Sequence, residues 1–552
     1  MDRLPPELLS IIVSDVLRPD DDVSATATPK ASSYACVCKL WQHIVERHTF
    51  RRIKLLSNEL DQFSQVFNGP RRRAILQNLD YKVLLPPYSA ARCAKFETRK
   101  EKKENNIAFT GAIRELLALL RGWEDADSAA NRQSGIGASR PMRLNLSIYS
   151  PMDQGHRTCD VDIDLGTDRF EGNFLEFVPM PGHHDNDNDS LVKIDRITNF
   201  WYESTRTPHP TALCKLLAAL PKLESLDMHI MQPKMKRLEV RRDHRCCTSW
   251  QCFTYDPANV VSLALARGLS ALNFASLRRL RLEYEGSEPA NHDFATGDLR
   301  ELGSSVDSLN NALRGLSQSA PLTELILDGL WLVSPALFWP PDNAAGLSKD
   351  TPHWPTLKYL EVEASITTPD GHSYYTGDPS SETINEDELF TGSDAEDEPE
   401  DDPDDSDDST NSDTADWFND RREAILNGDA PTYPWRKDLD PTYFDPLLAA
   451  MARAVLRMPA LRLARLKMVW NSTVLDCREV DVECLGSGEP SELRGEAFWD
   501  AGRNEREMRE QGSRRWRVWL GSKLNWNPTV EIESLWKEFT GEEGTARVDV
   551  WL

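Results

Sequence analysis

The sequence predicts an α/β protein: a helical N-terminal module followed by an irregular solenoid of helix–strand units with long insertions. Three observations predict it. Two strongly apolar helical segments lie within the first 50 or so residues. After them, a helical stretch leads into a short alternating segment of the form Leu-x-x-Leu-x-Leu, or close to it, several times over. A long acidic run then separates the last such unit from the others.

The first segment reads Leu4-Pro5-Pro6-Glu7-Leu8-Leu9-Ser10-Ile11-Ile12. Asp2 suits a cap, and Pro5 and Pro6 suit a first turn whose N–H groups lack helical partners anyway. Glu7 sits near the positive end of the helix dipole. Leu8, Ile12 and Val16 form one i, i+4 row, and Leu9, Val13 and Leu17 form a second. Two rows cover more of the circumference than the usual single stripe. The second segment is expected to be one helix with Tyr34, Val37, Trp41, Ile44 and His48 on one face, and Leu40 and Val45 beside it. So short a module cannot bury both helices fully, so the surplus apolar area needs a partner or the rest of the chain. An ordinary helical hairpin packed on its own domain is the alternative.

The order of these features resembles the F-box family. The match is Leu4-Pro5-Pro6-Glu7-Leu8, then Val37-Cys38-Lys39-Leu40-Trp41, then Phe50 where many members carry Trp. It covers residues 1–54. Residues 18–33 form a longer and more polar connection than the family's usual one. The resemblance implies docking on the Skp-family adaptor of SCF-type ubiquitin ligases, and through it on cullin. The residues implied are Leu4, Pro5, Leu8, Ile12, Val37, Cys38 and Trp41.

The repeat units follow at residues 55–365. Residues 211–220 lead into a strand starting at Leu223, residues 260–272 into one at Leu277, and residues 306–319 into one at Leu322. A strand at Leu357 and one at Leu461, after a helix over 447–458, complete the set. The gaps between these leucines, 54, 45, 35 and 104, exceed the leucine-rich-repeat period of about 20–29 residues. The array therefore reads as a degenerate leucine-rich-repeat-like solenoid, each unit stacking on its neighbours to bury its apolar face. A non-repetitive α/β domain is the alternative. Residues 80–85, 107–123 and 142–149 fit the pattern less regularly. Loops are expected at 124–141 and 179–190, an acidic disordered insertion at 366–435, and a last repeat with a Trp-rich cap at 436–552. F-box chains with leucine-rich repeats are a familiar fungal pairing, and a protein substrate held by the solenoid is what the resemblance implies.

The formal charge is −25, from 64 Lys and Arg against 89 Asp and Glu. Residues 382–416 alone hold 17 acidic and no basic residues, so the rest is only mildly acidic. No global field for nucleic acid exists. No run of 18 apolar residues suggests a membrane span. Ten scattered Cys without a secretory signal read as reduced thiols of a cytoplasmic or nuclear protein. Phosphate-cradling and nucleophile-elbow motifs are absent, and no catalytic residue or cofactor is expected. His244, Cys246, Cys247 and Cys252 cluster without finger-like spacing, and residues 183–189 lack the Gly and Glu of a calcium loop, so no metal is expected. Basic stretches lie at 99–103 and 234–245. A scaffold whose acidic insertion binds histones or other basic proteins is the second functional reading.

Overall fold

The computed structural model describes residues 5, 8–9, 12–13, 31–89, 92, 97–134, 140–153, 174–179, 190–204, 206–231, 265–286, 288–301, 307–340, 351–384, 420–468, 478–491 and 510–550. It is a mixed α/β protein built on one large, mostly parallel sheet. Its strands are β1 (Arg52–Leu56), β2 (Asn78–Leu84), β3 (Met142–Tyr149), β4 (Ile197–Tyr202), β5 (Ser225–Met231), β6 (Arg279–Glu285), β7 (Glu324–Trp331), β8 (Tyr359–Ala364), β9 (Tyr375–Thr376), β10 (Asp438–Leu439), β11 (Leu463–Met468), β12 (Val480–Leu485), β13 (Arg515–Leu520) and β14 (Thr545–Val550). The helices are α1 (Ala31–Ala35), α2 (Lys39–Thr49), α3 (Leu60–Val66), α4 (Pro70–Ile75), α5 (Arg99–Ser134), α6 (Pro210–Ala218), α7 (Leu265–Ala271), α8 (Ser308–Ser319), α9 (Asp420–Asn427), α10 (Pro441–Val455) and α11 (Val530–Thr540).

Twelve strands pair in chain order, β1 to β8 and then β11 to β14, while β9 and β10 form a separate antiparallel pair. Neighbours are parallel throughout, except that β12 runs against both β11 and β13. The alternation in the sequence sets the two faces. Leu226, Met228 and Ile230 of β5, Leu280 and Leu282 of β6, and Leu325 and Leu327 of β7 are buried with helical residues such as Leu216, Leu269 and Leu313 in one cluster. Each fully buried Leu or Ile contributes on the order of 1.5–3 kcal/mol. Side-chain caps start the helices where turn chemistry allows. Asp307 accepts from the Leu309 N–H before α8, and Asp440 accepts from the Thr442 N–H before α10, with Pro441 in the first turn.

On the other face a single register row crosses every strand: Lys54, Asp80, Asn145, Trp201, Asp227, Arg281, Ile326, Glu361, Arg465, Glu483, Arg517 and Arg547. Apart from Trp201 and Ile326 the row is polar, and it is at least partly exposed as far as Arg465; Glu483 and Arg517 are then fully buried.

Several boundaries differ from the sequence expectation. The edge placed at 54/55 falls inside β1, where Ile53 already opposes Leu79. The loop expected at 124–141 is helical to Ser134, because tertiary partners hold its polar residues. Glu124 accepts from the buried Arg196 N–H at 2.7 Å, and Arg73 lies 3.6 Å from Asp127. The loop at 179–190 lies mostly outside the described residues. The insertion expected at 366–435 is ordered at both ends. Tyr374 and Tyr375 are buried, β9 pairs with β10 across the expected 435/436 boundary, and the cis peptide Ala430–Pro431 lies in a packed turn. Short hydrogen bonds build this segment, including the Tyr374 N–H to the Ile366 carbonyl and the His372 N–H to Thr368 Oγ1. Residues 385–419 lie outside the described residues. Trp516, Trp519, Trp526 and Trp536 are buried, so these four make core rather than binding surface. Trp499 and Trp551 lie outside the described residues. Among the described residues no helix is long and apolar enough to cross a membrane.

Candidate docking surface

The N-terminal module begins where Pro5 lets it. The Pro5 carbonyl accepts from the N–H groups of Leu8 and Leu9, at 3.1 and 3.2 Å, which closes the first turn. The two apolar rows then part company. Leu9 and Val13 are buried with Ile44 and Val45 of α2 in a small cluster of their own, flanked by Tyr34, Ala35 and Trp41. Leu8 and Ile12 of the other row remain 48% and 41% exposed.

The second segment is not one helix. It breaks at residues 36–38 between α1 and α2, with Cys38 in extended backbone as the N-cap of α2. The continuous face expected through Tyr34, Val37 and Trp41 is therefore interrupted. Val37 projects from the break at 59% exposure, between the exposed Cys36 and Cys38. Trp41 turns inward instead, its ring stacked on Tyr34 with centroids 6.2 Å apart.

Of the seven residues that the sequence singles out, Pro5, Leu8, Ile12, Val37 and Cys38 are exposed and Trp41 is half-buried in the module's own core. Leu4 lies outside the described residues. Leu40, 39% exposed at the start of α2, adds to the outer apolar face. Its signal in the sequence was its place beside, rather than on, the Trp41–Ile44–His48 face.

Side-chain contacts tie the module to the helices that follow β1, and the Arg51 carbonyl accepts from the Gln77 and Asn78 N–H groups at the start of β2. Phe50 packs edge-on against Phe67 at 5.4 Å and beneath Arg72. Glu46, buried in α2, accepts from Arg72 at 2.7 Å and Gln42 at 3.0 Å, with Arg71 at 3.4 Å. Burial alone would raise the Glu46 carboxyl, but Arg72, Gln42 and Arg71 together hold it below its ordinary range. The sequence carried no sign of this tie, since its partners are 26 residues apart.

The remaining chemistry-bearing features of the sequence give little geometry. The 234–245 basic stretch, the 244–252 His and Cys cluster, residues 183–189 and nearly all of the acidic run lie outside the described residues. Arg99 to Lys103 open α5, where Lys102 meets Glu176 at 3.2 Å. Cys214 and Cys484 are buried, and burial pushes the Cys214 thiol up to about 12. Among the described residues no group of three or more His, Cys, Asp or Glu could hold a metal ion. No family model, no curated protein and no solved structure matches this chain.

Proposed function

We propose that this chain is the substrate-receptor subunit of an SCF-type ubiquitin ligase. The outer face of the module, Leu8, Ile12, Val37 and Leu40, docks on a Skp-family adaptor and through it on cullin. One observation carries the reading: a four-residue core holds the inner row while the matching outer row stays exposed. An apolar face so placed is unfavourable in water unless a partner covers it. The F-box-like order of Leu4-Pro5-Pro6-Glu7-Leu8 and Val37-Cys38-Lys39-Leu40-Trp41 supports the same assignment.

The sheet is read as a leucine-rich-repeat-like solenoid, supported by strands that neighbour one another in chain order. It holds the protein substrate. The chain breaks and makes no bonds itself; it raises the local concentration of substrate lysines near the charged conjugating enzyme.

The test is co-purification with the Skp adaptor. The full-length chain captures it at micromolar concentration, and Leu8→Asp with Val37→Asp abolishes capture. Trp41 is left intact because its loss would melt the module's core. Failure of the wild-type chain to capture the adaptor overturns the reading. The second reading, a scaffold for histones or other basic proteins, rests on the 17 acidic residues of 382–416. It predicts capture of basic proteins that vanishes when that run is deleted.

A further inference from the structure

The non-core face of the sheet changes character along its length, and its middle is acidic. Over β5 to β8 it presents Asp227, Glu283, Glu285, Glu324, Asp328, Glu361 and Glu363, against Arg279, Arg281 and His229, with Arg279 paired to Glu324 at 2.8 Å. Register makes this costly. Glu283 lies directly opposite Asp328, and like charges facing each other across a strand pair are destabilising. Arg281 answers only part of it, reaching Asp328 at 2.7 Å, and His229 meets Glu285 at 2.8 Å. The Asp227 carboxyl is pushed above its ordinary range, first by burial, then by Glu283 and Asp328 against the pull of Arg281 and Arg143.

The face is also shaped. Gly329 has φ +80°, and a Cβ there would sit 2.4 Å from the Tyr284 carbonyl oxygen. Beside this close approach of β7 to β6 lies an open hollow of about 420 Å³, lined in part by His229, Glu283, Glu285 and Gly329. Gly329, in its lining, donates its N–H to Glu363 at 3.0 Å. Half-buried Trp201 and Ile326 on the same register row offer apolar contact beside the carboxylates.

We infer that this face is the substrate-docking surface and that its ligand is an extended polypeptide segment rich in Lys and Arg. The inference rests on the receptor reading above and gives it a substrate class. Cationic side chains entering between Glu283, Glu285 and Asp328 relieve the carboxylate repulsion that the fold retains. An extended segment suits the face because alternate residues of a strand project on one side, about 7 Å apart, the same spacing as Glu283 and Glu285.

The experiment uses the full-length chain and a fluorescein-labelled peptide with Lys or Arg at alternate positions, at low salt. Glu283→Gln with Glu285→Gln weakens binding about tenfold or more, two exposed charges being removed at once. Arg281→Gln, which removes the internal competitor, tightens it. Deleting 385–419 leaves a face-dependent component that the Glu283 and Glu285 changes still abolish. Equal affinity in wild type, double variant and Arg281→Gln overturns the assignment, as does loss confined to the deletion. Binding that emerges only after Lys234, Lys236 and Arg237 are replaced by Gln would give the face to the chain's own basic stretch instead. Adaptor capture and thermal melting are read in parallel, so a folding defect or failure of the docking reading is distinguished from failure of this one.

Discussion

At the N-terminal end, Leu8, Ile12 and Val37 stand exposed beside a core of four buried residues, whereas at the C-terminal end Glu483, Arg515 and Arg517 are fully buried inside the sheet's last strands. One end leaves apolar groups in water and the other takes charges out of it. Both arrangements are expensive alone, and the difference lies in what compensates. The C-terminal charges are answered within the chain. Arg517 reaches Glu510, which also receives Arg547, and Arg515 donates to the carbonyls of Glu489, Glu510 and Ser513 at 2.6–3.2 Å. Glu483 accepts from Ser491 Oγ. Turns at 486–491 and 510–513 thus cover, at β12 and β13, the side of the sheet that is open at β5 to β8. Among the described residues nothing performs the equivalent service for Leu8 and Ile12. Among the described residues the buried C-terminal charges are compensated within the chain, whereas the apolar row at the N-terminal end is left uncovered, and in that sense unfinished.

The largest effect on stability is expected at Arg517. Truncating one member of a buried, hydrogen-bonded charge network costs about 3–5 kcal/mol, because the partner is left buried and uncompensated. Arg517→Ala should lower unfolding stability by that amount in urea titration, with Arg517→Met costing less because it preserves packing. Loss of less than about 1 kcal/mol in Arg517→Ala would mean that water reaches this face, and that the C-terminal end is as unfinished as the other.

The same contrast explains what the sequence could disclose. β5, β6, β7, β8 and β11 are legible because one face is apolar and the other polar, so Leu280 and Leu282 alternate with Arg279, Arg281 and Glu283. β12 has the same alternation in Val480, Val482 and Cys484 against Asp481 and Glu483, yet both of its faces are buried. Period two reports which side chains are polar, not whether distant turns will cover them. β4 escapes for another reason: Ile197–Tyr202 carries Trp201 on the polar side and lacks the leucine pattern. In sequence the segment 366–384 resembles a linker, because Thr, Pro, Asp and Gly compose linkers and tight turns alike; the buried Tyr374 hydroxyl, donating to the Val333 carbonyl at 2.8 Å, decides between them. At the candidate docking surface the two rows are visible as i, i+4 patterns, but which row faces inward depends on Ile44 and Val45, and the break at 36–38 follows from no residue that cannot be helical.

A smaller effect is expected at Glu46, where the module is joined to the helices that follow β1. Glu46→Gln should cost on the order of 1–2 kcal/mol locally, since it removes a charge-assisted hydrogen bond to Arg72. The carboxyl is held below its ordinary value of 4.5 in the folded state. Its contribution is therefore fully present above that value and is lost as pH falls through the lower folded value. Hydrogen exchange over residues 39–49 should accelerate as pH is lowered below 4.5 relative to the sheet, after correction for intrinsic exchange, and Glu46→Gln should remove that difference. A module that stays equally protected in both would be fastened chiefly by Phe50, through its contact with Phe67.

The smallest expected effect on stability carries the most information about function, and it separates two adjacent residues. Leu8 is 48% exposed and Leu9 is 2% exposed, although both are leucines on the same turn. Leu9→Ala removes a buried side chain and should cost about 2–3 kcal/mol of the module's local stability. Leu8→Asp removes little buried surface, and near the positive end of the helix dipole an acidic residue is tolerated, so the change should stay within about 0.5 kcal/mol. Adaptor capture should respond in the opposite sense to what stability alone would dictate. Leu8→Asp, with its fold intact, should lose capture, because a carboxylate entering a closed apolar interface must shed its hydration without a partner. Leu9→Ala should lose capture only in proportion to the fraction of modules it melts, and recover it on cooling. If Leu8→Asp melts residues 39–49 as Leu9→Ala does, Leu8 is core rather than surface, and the N-terminal end is closed on itself.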